Sequence, residues 1–115
     1  MALVKHDIDN IMNRITQKLT AEAKDSLRKV ILYGSYARGD FHEDSDVDIM
    51  VLVDSPNPRS VNSVIAKEES LLWGEYDTLI MCVFQNYKHF YEAMDCTSFY
   101  KNVEREGIVY YDSTT

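Results

Sequence analysis

A chain of 115 residues is long enough to bury one hydrophobic core and short for an enzyme that must bind two substrates unaided, so a single domain over 1–115 is expected. Apolar residues make up 45% and aromatic residues 11%, which describes an ordered globule, while 19 Asp and Glu against 12 Lys and Arg leave a net charge of −7 that excludes a broad footprint on the phosphate backbone of DNA or RNA. Cys82 and Cys96 have no metal-ligand spacing and no apolar run reaches membrane length, so reduced thiols, no membrane contact and a cytoplasmic location are expected.

From Val4 to Leu19 the apolar residues Val4, Ile8, Ile11, Met12, Ile15 and Leu19 recur at helical spacing, which predicts an amphipathic helix lying on a sheet. A polar stretch leads into a first strand at Val30–Tyr33. Gly34-Ser35 then forms a corner: glycine at the end of a buried strand permits a tight turn and close approach of a ligand, and the free amides at the start of the next helical segment face an anion. The Ser35 hydroxyl adds a donor. Tyr36 is the tyrosine best placed to line such a pocket. Arg38 has two readings, a partner for a polyphosphate or a brace for the loop acids Asp40, Glu43 and Asp44.

The second strand runs from Asp46 to Val53. Side chains alternate across a strand, so Asp46 and Asp48 share one face and Val47, Ile49 and Val51 the other. Two like charges held that close suit a divalent cation, and oxygen-only donors favour Mg²⁺ or Mn²⁺. The continuous run Ile49–Val53 predicts burial on both faces in the middle of the sheet. Pro56 and Pro58 break regular structure, and Ser60 is positioned to cap a helix whose apolar side is Val61, Val64, Ile65, Leu71 and Leu72, ending at Gly74. A third strand follows over Glu75–Phe84, opening with Glu75 and Asp77. A short helix at Asn86–Ala93, a final helix capped by Thr97 or Ser98 and a last strand at Ile108–Tyr111 complete the chain, with Asp112–Thr115 expected to be a disordered tail. These elements make an α/β fold in the order αβαβαβααβ, a small mixed sheet of about four strands with helices mainly on one face.

Gly34-Ser35, ten residues, then Asp46-x-Asp48 resembles the GS-x10-D-x-D signature of the DNA polymerase beta-like nucleotidyltransferase superfamily, and the surrounding GSYARGD is similar to its minimal nucleotidyltransferase branch. The sharp part of the resemblance is residues 34–48. It implies a nucleotidyltransferase fold and transfer of a nucleoside monophosphate, AMP for preference, from ATP or another NTP to an acceptor hydroxyl. It also implies two divalent metals, Mg²⁺ with Mn²⁺ as the substitute, on Asp46, Asp48 and a third carboxylate carried onto Asp77, with Glu75 the alternative. Gly34, Ser35, Arg38 and Tyr36 are the nucleotide-binding candidates. By the same resemblance the missing acceptor-binding surface comes from a small helical HEPN-like protein, in a toxin–antitoxin pair, or from a homodimer. The competing readings are a regulatory antitoxin and a nucleotide-binding module without turnover.

Overall fold

The computed structural model describes residues 2–55 and 59–114, with backbone alone at 59–61 and 64. The break at 56–58 therefore lies outside the described residues, and so does the Ser60 side chain expected to cap the helix. Four strands, β1 (Leu27–Tyr33), β2 (Val47–Val53), β3 (Ile80–Asn86) and β4 (Ile108–Asp112), form one mixed sheet in the order β3-β2-β1-β4. β1 is antiparallel to both β2 and β4, and β2 is parallel to β3. The helices are α1 (Lys5–Ala23), α2 (Ser35–Arg38), α3 (Arg59–Tyr76), α4 (Tyr87–Glu92) and α5 (Ser98–Glu106), so the element order is the expected one.

The two long helices cover one face of the sheet. Ile8, Ile11, Met12, Ile15 and Leu19 of α1 and Ile65 and Leu72 of α3 bury against Val30, Leu32, Val47, Ile49 and Val51. On the other face Phe90 of α4 and Tyr100 and Val103 of α5 cover Ile31, Met50 and Leu52. β2 is thus sandwiched, which accounts for its unbroken apolar run. Arg14 of α1 ties the long helices together by pairing with Glu68, at 3.1 Å, and with Glu75 on α3.

That clasp explains one departure from the sequence reading. Glu75 is a helical residue rather than the start of a strand, because α3 runs through Gly74 to Tyr76, which packs on the core. The residue that ends α3 is Asp77, in a left-handed conformation (φ 52°) with its amide donating to the Trp73 carbonyl at 2.9 Å. Aspartate tolerates that conformation better than most residues. A second departure is the C-terminus. Asp112 belongs to β4, one residue beyond the expected strand end at Tyr111, and the Ser113 hydroxyl donates to the Leu27 carbonyl at 2.8 Å.

Candidate active site

β1 delivers the chain to Gly34, whose φ of +78° and ψ of −158° turn it sharply into α2. The Gly34 carbonyl accepts from the amides of Ala37 and Arg38, and Gly39 at φ +86° ends the short helix with its amide on the Ser35 carbonyl at 2.9 Å. The following loop is held by its own side chains. The His42 amide donates to Ser45 Oγ at 2.9 Å, and the Asp44 amide to His42 Nδ1 at 3.2 Å, which makes His42 a brace for the approach to β2.

On β2 the strand phase is as read from the sequence: Val47, Ile49 and Val51 belong to the core under α1 and α3, and Met50 and Leu52 to the other face, which Asp48 shares. Asp48 sits directly across from Tyr33. Its carboxyl is held above the usual range by burial first and by the charge of Asp46 second, with the Arg38 guanidinium pulling the other way. The Tyr33 phenol is pushed up to about 12 by burial and by the Asp48 charge, so it stays protonated at neutral pH. Arg38 meets Asp40 Oδ2 at 3.1 Å and Glu106 Oε2 of α5 at 3.5 Å.

An open pocket of about 450 Å³ lies between the Gly34-Ser35 turn and α5. Tyr33, Arg38 and Asp48 form its floor, and Phe99 and Asn102 its far wall. The volume is in the range of small-molecule sites. Phe99 meets Tyr33 edge to face with ring centroids 5.5 Å apart and is 43% exposed, an aromatic face offered to the pocket rather than to the core. The sequence reading places no α5 residue at the site, because nothing local marks a helix that returns to the first strand from far along the chain.

The structure brings together Gly34, Ser35, Arg38 and Asp48 around the pocket, with Asp46 beside Asp48 closely enough to act on its ionisation. Tyr36 is a correction. It is buried, its hydroxyl accepts from the Leu3 amide at 3.1 Å and its ring stacks on Phe41 at 4.6 Å, so it anchors the N-terminal segment instead of lining the pocket. Asp77 closes α3 before β3 begins, its amide on the Trp73 carbonyl, and does not line the pocket. Glu75 is turned to Arg14 on the helical side. Among the described residues, no three His, Cys, Asp or Glu side chains are grouped to hold a metal ion. The fit to a divalent cation therefore rests on Asp46 and Asp48, two hard oxygen donors whose mutual repulsion a cation would relieve. No helix among the described residues is long and apolar enough to cross a membrane.

Comparison with known proteins agrees with this geometry. The family model of the nucleotidyltransferase domain matches residues 12–110. A protein of Methanocaldococcus jannaschii, "Putative protein adenylyltransferase MJ0141", is 35% identical over 102 residues, covering 89% of this chain and 97% of the relative. A second from the same organism, "Putative protein adenylyltransferase MJ0604", is 31% identical over 103 residues, covering 90% and 97%. The fold is shared with a toxin-antitoxin crystallised with AMP-PNP (TM-score 0.56, 21% identity, 88% of this chain and 73% of that one). It is shared also with a chain in the complex of tri-AMPylated HEPN toxin and MNT antitoxin from Shewanella oneidensis (TM-score 0.52, 19% identity, 91% and 72%). With the family model matched over 12–110 and two relatives at 31–35% identity over about nine-tenths of its length, the chain belongs to the nucleotidyltransferase domain family, enzymes that transfer a nucleoside monophosphate from an NTP.

Proposed function

We propose that this chain transfers AMP from ATP to a hydroxyl on a protein acceptor, a small helical protein of the HEPN type. The observation that carries the reading is the packing of the Gly34-Ser35 turn against the Asp48 carboxylate at the floor of a nucleotide-sized pocket. The two M. jannaschii relatives named as protein adenylyltransferases support the chemistry, and the S. oneidensis complex supports the acceptor class.

In this reading the amides that follow Gly34 and the Ser35 hydroxyl orient the β- and γ-phosphates, where the missing glycine side chain lets them approach the backbone. Asp46 and Asp48 would hold a divalent cation, Mg²⁺ or Mn²⁺, which supplies charge neutralisation for the polyphosphate. Arg38 exchanges its pairing with Glu106 for a phosphate oxygen, a charge-assisted bond shorter and stronger than the 3.5 Å contact it makes with that carboxylate. Phe99 gives the base a face to stack on, and the protonated Tyr33 hydroxyl gives it or the ribose a donor. The acceptor arrives from the open side of the pocket.

The test is to purify the chain together with whatever protein accompanies it in its host, incubate with each of the four NTPs and Mg²⁺, and weigh the intact proteins. A gain of one or more AMP units on the companion, with ATP alone, is the predicted result; no nucleotide gain on any protein with any NTP contradicts it.

A further inference from the structure

The residues that flank Asp48 across the sheet are Tyr33 on β1 and Met81 on β3. Neighbouring strands lie about 4.8 Å apart and paired residues turn to the same face, so these are the two side chains in reach of the carboxylate from the adjoining strands. The phase of β3 is fixed independently: Val83 packs with Met50 and Leu52 on the acid face, whereas Cys82 and Phe84 pack on the opposite one. Met81, two residues before Val83, is therefore on the acid face, and at 44% exposure it stands at the open surface beside the pair. Leu79, just before β3, meets the start of β2 through its backbone carbonyl, which accepts the Val47 amide at 2.9 Å.

A pair of cations clamped on a polyphosphate needs carboxylates from more than one side, and two acids on a single strand furnish one side only. A thioether is a soft donor, unsuited to Mg²⁺ or Mn²⁺. Asp77 lies outside β3, in the turn that closes α3, and among the described residues no grouping of three acidic or other metal-ligating side chains includes it.

We propose that this chain holds a single divalent cation with its nucleotide, on Asp46 and Asp48, and that Met81 occupies the place from which a second would be ligated. The inference rests on the pocket being a nucleotide site, and it sets the chain apart from the two-metal expectation carried by the family resemblance. Activation of the acceptor hydroxyl then falls to groups that the acceptor protein brings with it.

The experiment counts ions rather than turnover. The full chain is saturated with Mn²⁺ and AMP-PNP, freed of unbound ligand by ultrafiltration, and analysed for manganese and nucleotide retained on the protein, with the EPR spectrum recorded in parallel. Wild type is expected to retain one Mn²⁺ per AMP-PNP with the spectrum of an isolated ion, and Met81→Asp to retain two with a spin-coupled spectrum. Asp77→Asn is expected to keep the ratio at one. Two ions on the wild type overturn the inference, and a fall to one in Asp77→Asn would then identify Asp77 as the ligand. Failure of Met81→Asp to gain an ion overturns the role given to Met81. Retention of neither Mn²⁺ nor AMP-PNP by the wild type overturns the nucleotide-site reading together with this inference, an outcome distinct from a ratio of two.

Discussion

A Cβ on Gly34 would collide with Asp48 Oδ2 and lie 3.3 Å from Asp48 Cγ, so the turn after β1 and the second acid of β2 pack as one unit. The positive φ of Gly34 adds a separate reason for glycine there. Gly34→Ala should therefore displace the Asp48 carboxylate, cost about 1–3 kcal/mol of stability, and abolish AMP-PNP binding in a calorimetric titration. Gly39→Ala, where a Cβ meets nothing within 4 Å, pays for the left-handed φ alone and should retain nucleotide binding.

Asp48 pays for burial and for the nearby Asp46 charge, so Asp48→Asn should leave the melting temperature in EDTA unchanged or raise it by a few degrees. Added Mg²⁺ with AMP-PNP should raise the melting temperature of the wild type, because a ligand that binds only the folded state stabilises it, and should leave the Asn variant where it was. Thermal melts with and without the divalent cation check both directions.

Phe99 presents its ring to the pocket and contributes little to the core. Phe99→Ala should weaken nucleotide binding by about 1–3 kcal/mol, the usual worth of stacking a base on an aromatic ring, with the unfolding midpoint nearly unchanged. Phe99→Tyr, which keeps the ring, should restore the affinity.

The carboxyl of Glu69 accepts the Cys82 amide at 2.9 Å on the outer edge of β3, covering a donor that an open sheet edge would otherwise expose. Burial holds that carboxyl above its usual range, with the Cys82 hydrogen bonds opposing. An acid raised in the folded state binds its proton more tightly there than in the unfolded chain. Its contribution to stability is therefore greatest at low pH and is lost as pH rises through the folded value. Glu69→Gln keeps an acceptor and removes the charge, so it should equal or exceed wild type in stability at pH 7 and lose that advantage in denaturant titrations below pH 4. Burial and the Glu69 charge also push the Cys82 thiol well up, while Cys96 is exposed. Iodoacetamide at pH 8 should label Cys96 readily and Cys82 only after unfolding, as read by peptide mass spectrometry.

The parts of this site legible in the sequence are those written in adjacent residues. Gly34-Ser35 and Asp46-x-Asp48 lie close along the chain, and strand alternation alone assigns Asp48 to one face and Ile49 to the other. The element order was legible for the same reason, since each helix and strand carries its own periodicity. What could not be read are relations set by packing. Gly74 has the appearance of a helix end, yet the helix continues because Arg14 holds Glu75 and Tyr76 reaches the core. That shift moves Asp77 from a strand into a left-handed turn and leaves Met81 opposite Asp48. Tyr36 lies two residues past Gly34, but the hydroxyl's bond to the Leu3 amide turns it to the other side. Phe99 enters the pocket only because α5 folds back onto β1.

The measurement that bears most directly on the account is the rate of AMP transfer to the companion protein by the Asp46→Asn, Asp48→Asn double variant, with circular dichroism to show that it folds. A fall of about a thousandfold or more with the fold intact is the predicted result. Transfer at the wild-type rate by that variant would contradict the assignment of the chemistry to this acid pair.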